Sequence, residues 1–270
     1  MSTRSIRRSV AALFVAGGTL AGAAAHAQSE SLKLKMSGSI EVGGMHHRLS
    51  AGYGSWNGQF VRGTLQTSEN TVWNGELLNT AQYGDSGVLA AVGATHTLNE
   101  KWYVSGAVST SGGGFFLPRL RLDVTLNRKW LDALNLVTTV GFTAVNAKDG
   151  HRDRSVLLAA SYYFEQPWIV EGGVRLNNSN PGSVNSAAWY VAATWGHDKK
   201  RLLSLRYGRG EEAYQLTGSV ATLASFYSSG LTFTWREWFS REWGAQFRAD
   251  TYRSPNYDRH GIELSVFRDF

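Results

Sequence analysis

The residues best able to carry out chemistry are a few histidines with acidic neighbours. Hydrolysis at a membrane surface needs a nucleophile and a base within hydrogen-bond reach, or paired carboxylates beside a histidine. The sequence offers one such combination near its end, where His260 follows Asp258 and Tyr257 and is close to Asp250 along the chain. This group is the best candidate for a catalytic site, and it supports the hypothesis of a loop-borne hydrolase.

Other chemical signals point away from an enzyme. The chain has no cysteine, which excludes disulfides, thiolate zinc sites and cysteine nucleophiles. No G-x-S-x-G, H-E-x-x-H, P-loop or calcium-loop pattern occurs. His46 and His47 are adjacent, so on a strand they face opposite sides and do not share a metal. We therefore predict no enzymatic activity, no cofactor and no metal site.

A second set of charged residues recurs at every other position. From 119 to 126 every even position is aliphatic and every odd one is charged or polar. Successive side chains of a β-strand point to opposite faces, so this segment has one apolar face and one ionic face. Applied to the whole chain, the pattern assigns seven arginines and five acids to the polar face: Arg62, Glu76, Arg119, Arg121, Asp123, Glu171, Arg175, Arg206, Arg236, Arg248, Asp250 and Glu263.

These charges allow two interpretations. Arginine presents a planar pair of donors that binds carboxylate or phosphate, so the polar face could line a pore for an anionic solute. Charges enclosed by a sheet must also be hydrated or paired, so the same residues could form an internal salt-bridge network.

The elements that would hold this polar face are strands. No apolar run is long enough for a membrane helix, and alternation recurs along the chain. We predict an all-β, antiparallel transmembrane β-barrel over 46–270 with fourteen strands, or alternatively twelve or sixteen. The predicted strands are 46–56, 59–68, 71–82, 87–97, 101–111, 116–128, 134–146, 154–164, 168–178, 187–197, 201–212, 226–237, 242–252 and 260–270.

The predicted connections fall into two sets. One set is short, and with both chain ends in the periplasm it lies on the periplasmic side. The other set is longer and rich in Gly, Asn, Ser and Asp, a layout typical of outer-membrane barrels. The long connections are Ser111 to Gly114, Asn146 to Arg154, Asn177 to Ser186, Glu211 to Ser225 and Asp250 to Arg259.

Most tryptophans lie beside the short connections. Amphipathic aromatic rings collect at membrane interfaces, so these residues predict a periplasmic aromatic girdle. Its members are Trp102, Trp130, Trp168, Trp195, Trp238, Trp243 and the terminal Phe270.

The first 27 residues have the three parts of an export signal. Arg4, Arg7 and Arg8 precede an apolar run from 10 to 20, and an A-x-A site ends at Ala27. We expect cleavage between Ala27 and Gln28. Removing three arginines and no acid changes 27 basic and 21 acidic residues to 24 and 21, so the net charge falls from +6 to +3. This near balance, without a basic cluster, argues against nucleic-acid binding.

Residues 28–45 precede the first predicted strand. They include Leu32-Lys33-Leu34-Lys35. We expect them to form a periplasmic segment, to begin the first strand or to fold into the barrel as a plug.

Two short motifs carry a resemblance to a known family. Leu49-Ser50-Ala51-Gly52-Tyr53 and the segment Leu205 to Tyr214, LRYGRGEEAY, resemble the YaiO family of outer-membrane β-barrel proteins. The resemblance implies outer-membrane location, a barrel and a link to the production or export of surface polysaccharide, and it implies no catalytic residues. At the C-terminus the sequence departs from the usual assembly signal, since Arg268 takes a lipid-facing place and Phe267 is one position out of register.

These observations lead to three function hypotheses. The leading one is a pore or exit port for a polar surface saccharide, whether neutral or anionic. The alternative is a structural or adhesive surface protein whose loops bind a glycan or protein, and the third is the loop-borne hydrolase. Expected partners are outer-membrane lipid, the barrel assembly machinery through the C-terminal strand, and polysaccharide synthesis or export components.

Overall fold

The computed structural model describes residues 36–165, 167–216 and 221–270. The predicted signal segment 1–27, its cleavage site at Ala27 and Gln28, and residues 28–35 lie outside the described residues. Within the described part of the chain, no helix is long and apolar enough to cross a membrane.

The described residues form fourteen strands, which confirms the predicted strand number and fold class. Successive side chains along each of them point to opposite faces of the wall, as the period of a β-strand requires. The strands are β1 (Ser37–Leu49), β2 (Ser55–Ser68), β3 (Thr71–Gln82), β4 (Asp85–Thr97), β5 (Trp102–Gly113), β6 (Pro118–Trp130), β7 (Leu136–Ala147), β8 (Arg152–Tyr163), β9 (Trp168–Asn180), β10 (Val184–His197), β11 (Arg201–Leu216), β12 (Ala221–Trp238), β13 (Trp243–Arg253) and β14 (Asp258–Asp269).

The strands close into a single antiparallel barrel. Each strand pairs with its neighbours in the sequence, and β1 pairs with β14 from Ser39 opposite Asp269 to Leu49 opposite Arg259. A closed sheet has no free edge, so backbone donors and acceptors in the wall have partners in the adjacent strands.

The two faces of the wall differ in polarity. On β1, Val42 is 56% exposed while its neighbour Glu41 is 5% exposed, and on β14 Leu264 is 58% exposed while Ser265 is 6% exposed. The aliphatic row therefore faces outward and the polar row faces the interior. An apolar exterior over a polar interior is the arrangement of a barrel in lipid.

The start of the barrel differs from the prediction. We expected the first strand over 46–56, but β1 begins at Ser37 and ends at Leu49, and residues 50–54 form the turn to β2. Glycines and histidines in 38–47 concealed the alternation of β1 at the sequence level. The part of the N-terminal segment from Ser37 onward thus belongs to the first strand.

The connections are also shorter than predicted. The end of the barrel that holds Ser37 and Asp269 is called the terminal end, and the opposite end is called the distal end. The described distal connections are 50–54, 83–84, 114–117, 148–151, 181–183 and 254–257. The prediction of long distal loops is wrong, because Gly-, Asn- and Ser-rich segments continue as paired strands beyond the apolar band.

The tightest distal turn shows how so short a connection is possible. Tyr83 and Gly84 have φ angles of 52° and 78°, both in the left-handed region. Two-residue hairpin turns with positive φ at both positions match the twist of the flanking strands. β3 and β4 are therefore joined without a loop.

Six of the seven predicted girdle residues lie on the outer face at the terminal end. The guanidinium of Arg128 stacks there between two of them, 5.1 Å from the ring centroid of Trp102 and 3.5 Å from that of Trp130. Trp73 and Trp235 are also exposed on the outer face, and the prediction omitted them. The six are Trp102, Trp130, Trp168, Trp195, Trp243 and Phe270.

The girdle prediction is wrong for Trp238, because this side chain faces the interior. Its ring packs against Phe267 with centroids 5.1 Å apart, and its indole N–H donates to Asp269 over 2.8 Å. Phe267 is 1% exposed, while Arg268 lies on the outer face beside Glu242 and Trp243. The strand register thus places Phe267 inward and Arg268 outward.

A depth-dependent substitution tests which face meets lipid. Leu264→Arg, on the outward row near the middle of β14, is expected to lower the free energy of unfolding from phospholipid vesicles by about 2–4 kcal/mol. Thr251→Arg, on the outward row near the distal end, is the matched control and should cost about 1 kcal/mol or less. Urea titration of both variants measures the difference, and equal costs would contradict the assignment.

Candidate functional site in the barrel interior

The interior of the barrel collects most of the predicted pore-lining residues. Nine of them lie on the inward row of their strands: Arg62, Arg121, Asp123, Glu171, Arg175, Arg206, Arg236, Arg248 and Glu263. Arg119 differs because it is exposed at a register shift between Pro118 and Leu120. It forms no ion pair with any residue that the structure describes.

Arg62 is the centre of a buried ion-pair network. Its Nε lies 2.9 Å from Glu76 Oε2, and its Nη1 lies 2.7 Å from Glu263 Oε1 and 3.6 Å from Glu41 Oε1. The guanidinium also lies 3.7 Å from the ring centroid of Phe60. Three carboxylates from β1, β3 and β14 thus converge on one arginine of β2.

Arg236 extends this network toward β12 and β13. Its Nη1 lies 3.2 Å from Glu41 Oε2, and its guanidinium lies 3.5 Å from the ring centroid of Phe267. Ser265 Oγ donates to Glu41 Oε1 over 2.8 Å. We call Arg62, Arg236, Glu41, Glu76 and Glu263 the ionic wall. Its close pairing supports the interpretation that these charges stabilise the barrel.

Several inward charges escaped the sequence analysis. Glu41 lies in the segment 28–45, for which the sequence left three placements open, and Lys129 lies 5.8 Å from the ring of Tyr103. Glu212 accepts a hydrogen bond from the Tyr252 hydroxyl over 2.9 Å, and Asp269 binds Trp238. The acids Glu41, Glu212 and Asp269 offset part of the arginine excess that the sequence suggested.

The opposite wall combines ion pairs with contacts to hydroxyl groups. Arg121 donates from Nε to Asp123 Oδ2 over 2.6 Å, and Arg175 donates from Nη1 to Ser155 Oγ over 2.8 Å. Arg206 Nη1 lies 3.7 Å from Glu171 Oε1. Hydroxyl groups such as those of Thr143 and Ser155 lie among the charged groups of this wall.

A hollow opens along this second wall. Tyr190 reaches it because its neighbour Gly173 has no side chain; a Cβ on Gly173 would lie 2.8 Å from Tyr190 Cε1. Val137 and Leu157 contribute apolar surface. We call this space the hydroxyl-lined hollow, and its polar lining is Tyr103, Asp123, Thr125, Asn127, Thr139, Thr143, Ser161, Tyr163, Glu171, Arg175 and Tyr190.

The hydroxyls of the hollow are held in fixed orientations. Thr143 Oγ1 donates to Asp123 Oδ1 over 2.7 Å, and Ser161 Oγ donates to Glu171 Oε2 over 3.1 Å. The Arg206 guanidinium lies 3.5 Å from the ring centroid of Tyr190. Preoriented donors and acceptors beside aromatic faces are a common composition of small-molecule sites.

An aromatic cluster fills part of the distal mouth. Trp56 and Tyr257 are buried together with Leu49, and Tyr53, Tyr83 and Tyr252 pack against them. The ring centroids of Trp56 and Tyr83 are 5.3 Å apart. We call these six residues the mouth cluster. These aromatic rings therefore pack against one another in the mouth.

Tyr83, in the turn between β3 and β4, shows how far this cluster is buried from solvent. Burial raises the pKa of Tyr83, and its hydrogen bond to the Tyr257 hydroxyl, 3.3 Å away, raises that pKa further. Burial disfavours a phenolate, so the tyrosine remains neutral.

The predicted catalytic group at the end of the chain is not assembled. His260 is exposed on the outward face, whereas Asp250 faces inward and binds His47 with Nε2 3.0 Å from Oδ1. Arg259 Nη2 also lies 3.4 Å from Asp250, and Tyr257 belongs to the mouth cluster. The reason is strand parity, because even positions of β14 face outward. His47 with Asp250 is the histidine–carboxylate pair that the sequence analysis missed.

Metal binding has no support in the geometry. Within the residues that the structure describes, no group of three or more histidine or acidic side chains is arranged to hold a metal ion.

Most of the barrel matches a known protein family. Residues 37–215 match the model of the YaiO membrane beta barrel domain. No curated protein matches the chain.

Solved structures resemble the fold at low sequence identity. A CymD monoaromatic hydrocarbon channel is 9% identical with a TM-score of 0.56, and the alignment covers 87% of each chain. A bacterial polysaccharide outer membrane secretin is 9% identical with a TM-score of 0.54, covering 86% of this chain and 98% of that one. The P. putida toluene transporter TodX is 10% identical with a TM-score of 0.54, covering 87% and 89%. Such likenesses establish a shared fold.

Replacing Arg62, the central cation of the ionic wall, is expected to destabilise the barrel strongly. Arg62→Met leaves three buried carboxylates without their shared partner, so it should lower the free energy of unfolding by about 3–5 kcal/mol. Adding Glu76→Gln and Glu263→Gln should restore much of that loss, because the uncompensated charges are removed. Urea titration of vesicle-embedded protein measures both.

The control for this prediction is Arg201→Met. Arg201 forms an exposed ion pair with Glu237 at the outer face, so its removal should cost about 1 kcal/mol or less. If Arg62→Met costs no more than Arg201→Met, the ionic wall does not stabilise the barrel.

Proposed function

The chain belongs to the YaiO membrane β-barrel family, and on this premise we propose that it is an outer-membrane channel or exit port for a polar saccharide. The observation that carries the proposal is the hydroxyl-lined hollow. Its serine, threonine and asparagine side chains match the donors and acceptors of sugar hydroxyls, and Tyr103, Tyr163 and Tyr190 offer ring faces.

The chemistry of the interior favours polar over apolar solutes. The hydrocarbon channel and the toluene transporter share the fold, but the hollow here contains Asp123, Glu171 and Arg175. A hydrocarbon would desolvate these charges without replacing their hydrogen bonds. Similarity to a polysaccharide secretin supports a saccharide as the solute. Acidic sugar units would also meet the guanidiniums of Arg175 and Arg206.

The division of the interior gives the two walls different roles in this proposal. The ionic wall braces β1, β2, β3, β12 and β14 through charges that are satisfied by one another. Solute passes on the other side, along β5 to β10, where the hollow lies. The predicted pore-lining arginines thus divide into structural ones, such as Arg62, and solute-facing ones, such as Arg175.

Filling the hollow is the direct test. Ser161→Trp places an indole among the hollow-lining residues and should reduce single-channel conductance in planar bilayers by more than half, an order-of-magnitude expectation from the size of a tryptophan side chain. Ala160→Trp is the matched control, because Ala160 is the adjacent exposed residue on the outward face. Heat-modifiable gel migration verifies folding of both variants.

Two outcomes would contradict the proposal. One is equal conductance of Ser161→Trp and the folded wild type. The other is wild-type protein that conducts no ions even after residues 28–35 are deleted.

The mouth cluster gives a second prediction in the opposite direction. Truncating both Trp56 and Tyr257 to alanine removes two buried rings from the distal mouth and should raise the conductance. Tyr227→Ala, which removes an exposed ring from the outer face at the same end, should leave it unchanged. A double variant that folds but conducts like wild type would show that the mouth cluster lies beside the solute path.

A further inference from the structure

The outer surface of the distal end carries unpaired arginines at one side of the barrel. We propose that this surface binds the phosphate groups of a phosphorylated glycolipid in the outer leaflet. The residues are Arg48, Arg209 and Arg253 with His46 and His260, here called the distal basic patch. All five are exposed.

Strand register brings these residues together. Arg48 of β1 lies directly opposite His260 of β14. Ser229 of β12 lies opposite both Arg209 of β11 and Arg253 of β13, so these two arginines flank one residue across three strands. The patch thus runs continuously across five neighbouring strands, from β11 through β14 to β1.

The height of the patch matches a headgroup layer. Going toward the middle of the barrel, the outward rows continue into Ile262 and Leu264 on β14, Val42 on β1 and Leu205 on β11. All four of these aliphatic side chains are about half exposed. Guanidiniums immediately above such an apolar band lie where lipid headgroups meet water.

The outward cations of the two ends differ in their partners. At the terminal end, Arg201 pairs with Glu237 over 2.5 Å and Arg268 with Glu242 over 3.1 Å. Among the described residues, no carboxylate lies within ion-pair distance of Arg48, Arg209 or Arg253. These three guanidiniums therefore keep their donors for an external anion.

Nearby acids reduce the positive charge of the patch without cancelling it. Asp258 lies opposite Arg253 in the register, and Glu211 of β11 binds the Tyr227 hydroxyl. His46 Nδ1 lies 2.7 Å from Asn57 Oδ1. Three arginines against two acids leave a net positive surface even with both histidines neutral.

A lipid phosphate fits this surface better than an acidic protein. The patch is continuous with the apolar exterior, so its occupant must present an anion next to acyl chains. The planar guanidinium binds phosphate oxygens through two parallel hydrogen bonds. A glycolipid with several phosphates could contact more than one of the three arginines at once. This inference stands apart from the proposed channel, since it concerns the outer face.

The test uses the purified full chain in neutral detergent with lipopolysaccharide as the probe. The variant R48Q/R209Q/R253Q should raise the dissociation constant on the order of tenfold or more relative to wild type. The matched control R128Q/R201Q/R268Q removes three outward arginines at the terminal end and should bind like wild type. Added sodium chloride should weaken wild-type binding, because exposed charges are screened.

Two further probes identify the group recognised. Dephosphorylated lipopolysaccharide should bind the wild type as weakly as intact lipopolysaccharide binds the distal variant. Phosphatidylglycerol should compete poorly. Equal binding of the intact and dephosphorylated probes, equal affinity of both triple variants, or phosphatidylglycerol binding as tightly as lipopolysaccharide would overturn the proposal. If the triple variant fails to fold, R48Q alone, checked by heat-modifiable migration, should still show weaker binding.

Discussion

The constraint on which the structure depends is that backbone donors and acceptors inside a lipid layer must find partners within the protein. Pairing of β1 with β14 meets this requirement by removing both edges of the sheet. Closure also determines the polarity of each face of the wall, because one row of side chains on every strand contacts acyl chains and the other faces an enclosed interior. The exposed aliphatic rows and the buried charged rows follow from that division.

Enclosing charges creates a second requirement, and the two halves of the interior meet it in different ways. On the ionic wall, arginines and glutamates neutralise one another at short distances. Along β5 to β10, hydroxyl groups lie among the charged groups that line the hollow. In the proposed function, the barrel is braced on one side and gives a solute its path on the other. An aromatic cluster narrows the distal mouth, so access there depends on a few ring positions.

Much of the fold could be predicted from the sequence because aliphatic and charged residues alternate clearly in strands such as β6. The prediction fails where small or aromatic residues occupy both faces of a strand. The predicted first strand begins at 46 and omits residues 37–45 of β1, because Gly43, Gly44 and Met45 hide the period there. Trp238 was assigned to the girdle because tryptophan suits an interface, but its position in β12 points it inward toward Phe267. Partners such as Glu41 and Glu263 for Arg62 depend on closure and leave no local sequence signal.

The ionic wall lies across the seam where the barrel closes. Arg62 and Glu263 are separated by 201 positions in the chain, and Glu41 and Ser265 by 224. These bonds need β14 together with the first strands, so their free energy becomes available only when the barrel closes. A barrel without β14 would expose the unpaired backbone groups of an open strand edge to the membrane. It would also leave part of the ionic wall without its partners. Completion of the chain is therefore linked to its retention in the bilayer.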